Sequence, residues 1–194
     1  GAIIVNQQFP GTITHVGISL VFGLTVGSVI FAFGDISGAH INPVVTVAFW
    51  LAKRFNKKEV VPYIVSQLAG GILASLVLKL LFPQNLLLGC TLPSGPYLQS
   101  FILEAILTFF LVLTIIQVST GGKEKGMFAA IAIGFVVLLE ALFAGPLSGA
   151  SMNPMRSISP ALVSGHFDGL WIYLTSTFVG GLLAVPITQL LKDK

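Results

Sequence analysis

The chain has 194 residues, of which 55% are hydrophobic and 9% are charged. Soluble domains carry about 25% charged residues, so this chain cannot hydrate its whole surface, and lipid is its natural solvent. The net charge of +3 is too small and too dispersed to indicate nucleic-acid binding. The single cysteine, Cys90, excludes an internal disulfide and a metal site built from cysteines.

The first elements in chain order are the end of one span, a full span and a short helix. Residues 1–6 are predicted to be the end of an earlier span, which the native bundle would need in order to be sealed. After a breaker-rich connection at 7–12, residues 13–33 supply the roughly 20 apolar residues of a bilayer crossing. A loop then ends in Asn-Pro, and Pro43–Ala52 can form a helix that is too short to cross.

The remaining elements contain a second loop of the same kind. Asn153-Pro154 follows an apolar stretch, and Pro154–Ser164 is again long enough only for a half-helix. Four more full spans and two connections complete the prediction. The spans are at 61–82, 98–119, 127–145 and 169–191, and the connections are at 83–96 and 120–126.

The two loops are copies of one sequence. Ser-Gly-Ala-His-Ile-Asn-Pro at 37–43 returns as Ser-Gly-Ala-Ser-Met-Asn-Pro at 148–154. Three predicted spans separate the copies, and an odd number of crossings places them on opposite faces of the membrane. We therefore predict one membrane domain, 1–194, made of two inverted halves at 1–82 and 98–194, a design common to transporters and channels.

The cations give this arrangement a direction. Eight of the ten Lys and Arg residues fall on one side by the count of crossings, and the positive-inside rule identifies that side, with the C terminus, as cytoplasmic. We expect an integral protein of the cell (plasma or inner) membrane. The eight are Lys53, Arg54, Lys57, Lys58, Lys123, Lys125, Lys192 and Lys194, whereas Lys79 and Arg156 lie elsewhere.

Each Asn-Pro pair is suited to starting a helix. Asn is a favoured N-cap, and Pro at the first helical position loses no useful donor. If the two half-helices meet at mid-membrane, each N-terminus brings about half a positive charge. The amides of Asn42 and Asn153 could then donate to a neutral hydroxylic solute, while cations, including hydronium, would meet an electrostatic barrier.

The loop backbone and one arginine complete the predicted pore. Irregular backbone at membrane depth must line a polar cavity, so its carbonyls are expected to form a row of acceptors. Arg156 lies three residues after Asn153, and arginine in an apolar segment is costly and usually functional. It could line the pore, tie down loop carbonyls, or do both. The predicted loop residues are Gly38, Ala39, His40, Gly149 and Ser151.

The doubled Ser-Gly-Ala-x-x-Asn-Pro motif, with Arg156 after the second copy, resembles the aquaporin (major intrinsic protein) superfamily over essentially the whole chain. The stretches 33–43 and 144–154 most resemble its nodulin-like branch, whose members pass water, glycerol or small metalloid hydroxides. The resemblance implies an all-α right-handed bundle of six spans, the first one truncated here, with two half-helices. It also implies a homotetramer with one pore per subunit and no cofactor. Val44 and Met155 stand where alanine is usual.

The resemblance also assigns a selectivity filter of four residues. Water-selective members place a histidine and a small polar residue at its two middle positions, where this chain has alanines. The wider filter favours glycerol, urea or undissociated metalloid acids such as silicic, boric or arsenious acid, in addition to water. The four are Phe22, Ala141, Ala150 and Arg156.

Other markers of the solute conflict. Ser157 and Ala161 resemble the water-channel side of the family, whereas the Tyr173-Leu174 pair is closer to the nodulin-like pattern. The solute class therefore stays open at this point.

Two glutamates, Glu104 and Glu140, lie inside predicted spans, where an unpaired charge costs several kcal/mol. They could form the proton relay of an ion- or proton-coupled secondary transporter. The favoured alternative is a structural carboxylate bound to loop backbone, a role that the resemblance gives to Glu104 but not to Glu140.

A non-conducting junction protein is a further alternative, which the intact set of two Asn-Pro pairs and Arg156 disfavours. We expect no enzyme, because three scattered histidines and one cysteine assemble no nucleophile–base pair or metal cluster. His40 is expected to pack locally rather than bind a metal.

Overall fold

The computed structural model describes residues 1–119 and 123–192, and every regular element in them is a helix. The eight helices are α1 (Ala2–Gln8), α2 (Thr14–Ser37), α3 (Pro43–Leu51), α4 (Lys57–Leu81), α5 (Tyr97–Val118), α6 (Lys123–Ser148), α7 (Pro154–Ser164) and α8 (Leu170–Lys192).

Five of the described helices, α2, α4, α5, α6 and α8, are long and apolar enough to span a membrane. The five predicted full spans and the two half-helices, α3 and α7, are confirmed. α4 starts four residues earlier than predicted, because the Asn56 side chain accepts a hydrogen bond from the Lys58 amide at 3.0 Å and caps the helix. The connection predicted at 120–126 is helical from Lys123 onward, and its residues 120–122, like Lys194, lie outside the described residues.

Helix packing relates the two halves of the chain. α2 packs along α6, and α5 packs along α8. The half-helix α3 contacts α4 and α8, and the half-helix α7 contacts α8 and α4 in turn. Each half-helix thus packs between the same two spans, which is the pattern that an inverted repeat requires.

Small residues allow the closest of these contacts. A Cβ added to Gly23 would lie 2.6 Å from the carbonyl oxygen of Gly134, and one added to Gly27 would lie 3.2 Å from that of Ala130. Small residues thus let α2 and α6 approach backbone to backbone. Gly180 likewise lies against the backbone of Ala105.

The helix surfaces that face away from the bundle remain apolar. Leu24 and Phe31 on α2 are each 62% exposed, and Leu80 on α4 is 79% exposed. An apolar surface of this extent suits lipid and not water, in keeping with an integral membrane protein.

Candidate functional site

The two Asn-Pro loops meet through reciprocal hydrogen bonds. Asn42 Nδ2 donates to the carbonyl of Met152 at 2.7 Å, and Asn153 Nδ2 donates to the carbonyl of Ile41 at 2.8 Å. Each acceptor is the residue immediately before the other asparagine. An amide carries two N–H donors, so this junction occupies one and leaves a second on each asparagine for a passing oxygen.

The same asparagines start the half-helices. Asn42 Oδ1 accepts from the Val44 amide and Asn153 Oδ1 accepts from the Met155 amide, both at 3.0 Å. Pro43 and Pro154 occupy the first helical position in each case. The predicted N-caps are confirmed, and the N-termini of α3 and α7 point their dipoles at one junction.

The repeated Ser-Gly-Ala has one conformation in both loops. The Ser37 hydroxyl accepts from the Ala39 amide, and the Ser148 hydroxyl from the Ala150 amide, each at 3.2 Å. The glycine between them is left-handed in both copies, with φ of 76° and 86°, and the alanines follow at 48° and 42°. Glycine takes the left-handed conformation that ends a helix at little steric cost, which gives the repeated serine and glycine each a structural reason.

Glu104 holds the second loop. Its Oε1 accepts from the Ser148 hydroxyl at 2.7 Å and from the Ser151 amide at 2.8 Å, and its Oε2 accepts from the Met152 amide at 2.9 Å. The residue is fully buried. Three donors compensate the buried charge, which is the geometry of a structural carboxylate.

Glu140 is different. It is 4% exposed, and its Oε2 has no hydrogen-bond partner in the part of the chain that the structure describes. Unlike the oxygens of Glu104, this oxygen is hydrogen-bonded to neither loop among the described residues.

The first loop is held by neutral groups from α4. Gln67 Nε2 donates to the carbonyl of His40 and, at 3.0 Å, to the Thr46 hydroxyl. The Tyr63 hydroxyl donates to the carbonyl of Ser37. The sequence analysis missed both residues, although a polar side chain inside an apolar span was an available signal.

The second loop has a counterpart of that tyrosine. The Tyr173 hydroxyl donates to the carbonyl of Ser148 at 2.6 Å. Tyr63 and Tyr173 stand 26 and 25 residues after the equivalent serines of the repeat. The internal repeat therefore extends to the clamps that hold each loop, a feature that matching the loops alone does not find.

The four predicted filter residues line one cavity of about 370 Å³, the filter cavity. Arg156 Nη1 donates to the carbonyl of Gly89 at 2.7 Å, and its guanidinium carbon lies 5.3 Å from the centroid of the Phe22 ring. A carbonyl and an aromatic face thus hold the arginine in place. Gly89, in the loop between α4 and α5, carried no signal in the sequence.

A second cavity of about 280 Å³, the asparagine cavity, is lined by both asparagines and by the loop residues Gly38, Ala39, His40 and Ser151. Phe22 and Arg156 line this cavity as well as the filter cavity. The two side chains therefore stand where the two cavities meet. Gly149 and Ala150 line the filter cavity.

The two departures from the usual motif have different surroundings. Val44 is fully buried in the core, and a Cβ added to Gly181 of α8 would overlap its Cγ1. Met155 lines a third cavity of about 640 Å³, which Asn153 and Arg156 also line. The extra volume of Val44 is therefore accommodated by a glycine on the helix that faces it.

His40 packs among aromatic rings. Its ring is stacked on Phe49 with centroids 4.7 Å apart, and it contacts Phe55 and Tyr63 at 5.0 and 5.6 Å. Among the described residues no group of three His, Cys, Asp or Glu could hold a metal ion.

Comparisons with known proteins agree with this geometry. The model of the family "Major intrinsic protein" matches residues 1–187. The chain is 43% identical over 192 residues to Nodulin-26 of Glycine max, covering 98% of this chain and 71% of that protein. It is 45% identical over 200 residues to Aquaporin NIP1-2 of Arabidopsis thaliana, covering 98% of this chain and 68% of that protein.

A solved structure has the same fold. The X-ray structure of the aquaglyceroporin from Plasmodium falciparum matches with a TM-score of 0.85, covering 97% of this chain and 91% of that chain. The two sequences are 21% identical, so this likeness concerns the fold. The predicted arrangement of spans and half-helices is confirmed by it.

Proposed function

Because the chain belongs to the major intrinsic protein family, and is a passive channel for water and small solutes and not an enzyme, we propose that its pore runs from the filter cavity past Phe22 and Arg156 into the asparagine cavity. The observation that carries this proposal is that these two side chains line both cavities. Family membership confirms the predicted channel and does not favour the coupled transporter.

Ion exclusion follows from the charges along this path. The N-termini of α3 and α7 converge at the Asn42–Asn153 junction, and each carries about half a positive charge. The Arg156 guanidinium adds a full charge at the meeting point of the cavities. A cation or hydronium would enter this positive potential after losing part of its hydration, whereas a neutral solute would find donors there.

The filter favours solutes wider than water. Ala141 and Ala150 are buried methyl side chains that offer neither bulk nor a hydrogen bond, so Arg156 is the polar side chain among the four. We propose glycerol, urea and undissociated boric, silicic and arsenious acids as substrates in addition to water. Each is neutral and can accept from the guanidinium.

The test is flux into proteoliposomes measured by stopped-flow light scattering, solute by solute. Water flux together with glycerol or boric acid flux would support the wide filter, and water flux alone would exclude it. Ala141→His, which restores a large polar ring, should lower the glycerol-to-water permeability ratio. Leu139→His, on the exposed face of the same helix, should leave that ratio unchanged. If a protonophore does not alter the solute flux, transport is not coupled to a proton gradient.

We further propose a homotetramer whose C terminus is cytoplasmic, in the plasma or inner membrane. The basic residues Lys53 and Arg54 follow α3, and Lys57 and Lys58 begin α4. Arg54 Nη1 donates to the carbonyl of Ile116 near the end of α5. A cation there is favourable because the end of a helix carries partial negative charge. Native mass spectrometry and the accessibility of a C-terminal tag in sealed vesicles test the two statements.

A further inference from the structure

We propose that His15 is a further selectivity-determining residue of this pore, an imidazole that binds hydroxylated solutes at the entrance of the filter cavity. His15 lines the same cavity as Phe22, Ala141 and Arg156. It stands seven positions before Phe22 on α2, which places the two residues on one helical face about two turns apart. The inference rests on the proposed solute class, because it concerns how such solutes reach the filter.

A hydrogen bond fixes the orientation of the ring. His15 Nε2 lies 2.7 Å from the carbonyl oxygen of Leu142 on α6. A carbonyl only accepts, so Nε2 carries the proton and, in the neutral ring, Nδ1 is the acceptor. In the described part of the chain no group donates to Nδ1, so this acceptor is available to a solute in the filter cavity.

A glycine makes room for the ring on α6. A Cβ added to Gly145 would lie 2.8 Å from His15 Cε1, and the other atoms within 4 Å of that point are Nε2 and Nδ1 of the same ring. Gly145 follows Ala141 by four residues, about 6 Å along the helix. The imidazole that is missing at Ala141 is therefore supplied from α2, one turn further out.

The positions of the polar groups give His15 a role in selectivity. Arg156 lies over the Phe22 ring, and His15 is two turns before Phe22 on α2, so a solute that enters from the His15 end of the filter cavity meets Nδ1 before the Arg156 donors. A polyol can donate one hydroxyl to Nδ1 while another is still hydrated, which replaces part of the hydration that it loses on entry. A single water molecule gains less from this hydrogen bond, because it is small enough to keep its hydrogen bonds to neighbouring water molecules. His15 should therefore favour hydroxylated solutes over water.

Substitution of the ring tests this role directly. His15→Phe keeps a ring but removes Nδ1, and the loss of one hydrogen bond should lower the glycerol-to-water permeability ratio about fivefold. His15→Gln keeps a polar group and should retain most of the ratio. The control is His166→Phe, because His166 is exposed and does not line the filter cavity. An unchanged ratio in His15→Phe, or an equal fall of both permeabilities, would overturn the proposal.

A double-mutant cycle supplies a second, independent readout. Gly145→Ala places its methyl against the imidazole, so it should displace the ring and lower the ratio in the native background. In the His15→Ala background the same methyl meets no ring, so its effect on the ratio should be much smaller. Equal effects in both backgrounds would refute the contact. If the unmodified channel passes no glycerol or boric acid, the proposed solutes and this inference fail together, whereas native glycerol flux that is insensitive to His15 overturns this inference alone.

Discussion

Asn42 and Asn153 hold each other's loops in place, since each side-chain amide donates to the carbonyl that precedes the other asparagine, at 2.7 and 2.8 Å. The same side chains cap the half-helices that they begin. One residue type thus joins the two halves of the pore, orients two helix dipoles and leaves a donor for the solute. A serine could cap the half-helix but could not form the hydrogen bond to the other loop. Substitution by serine therefore separates the two functions.

Asn42→Ser and Asn153→Ser should each preserve the half-helix and weaken the junction. The serine hydroxyl caps as well as asparagine does, but it cannot reach the opposite carbonyl. We expect each variant to lose about 1–3 kcal/mol of stability and most of its water permeability. Thermal unfolding in detergent and stopped-flow water flux measure the two effects. Asn56→Ser, at the exposed cap of α4, is the control, and an equal loss there would contradict this explanation.

Glu104→Gln should destabilise the channel, whereas Glu140→Gln should not. Glu104 accepts three hydrogen bonds, and an amide nitrogen in place of one oxygen would face a donor, so we expect a loss of about 2–3 kcal/mol. Glu140 Oε2 has no partner among the described residues, and an amide is cheaper to bury than a carboxylate. We therefore expect Glu140→Gln to keep stability and solute flux. Loss of flux in a stable Glu140→Gln channel would favour a coupling role after all.

The two tyrosine clamps should differ in strength. Tyr173 is fully buried, so in Tyr173→Phe the Ser148 carbonyl loses its donor and no water can replace it. The variant should lose about 1–3 kcal/mol of stability. Tyr63 is half-buried and its partner Ser37 is exposed, so Tyr63→Phe should cost no more than about 1 kcal/mol. Thermal unfolding of the two variants measures their losses of stability. A larger loss for Tyr63→Phe would mean that α4, and not α8, provides the stronger clamp.

Much of this architecture could be predicted from the sequence because its signals are local. Apolar length predicts spans, and an Asn-Pro pair predicts a cap whose partner lies two residues away. The doubled motif then implies two equivalent loops. Because the lipid face and the core face of a membrane helix are both apolar, periodicity does not indicate which side faces the neighbouring helix.

The contacts that could not be predicted join residues far apart in the sequence. Arg156 reaches Gly89 across 67 positions, and His15 reaches Leu142 across 127. Both acceptors are backbone carbonyls, which every residue has, so no residue type marks them. The Tyr63 and Tyr173 clamps were in principle detectable, since they repeat with the loops, but only once the repeat is followed beyond its motif.

Val44 and Gly181 form a compensating pair where α3 meets α8. A methyl at Gly181 would overlap Val44 Cγ1 and would lie 3.1 Å from Val112 Cγ2 and 3.4 Å from Thr108 Cγ2. Gly181→Ala should therefore cost about 1–3 kcal/mol, the usual effect of overpacking a core. In the Val44→Ala background the same change should cost less than half as much, because the worst contact is gone.

The control for this cycle is Gly70→Ala. Gly70 lies inside α4, and no atom of the described residues lies within 4 Å of a Cβ added there. Alanine there should be neutral or should stabilise the channel by up to about 1 kcal/mol through helix propensity. Thermal unfolding of the four variants of the cycle, with Gly70→Ala beside them, measures the coupling. Equal costs of Gly181→Ala with valine and with alanine at position 44 would show that the glycine accommodates Val112 and Thr108 and not the valine of the motif.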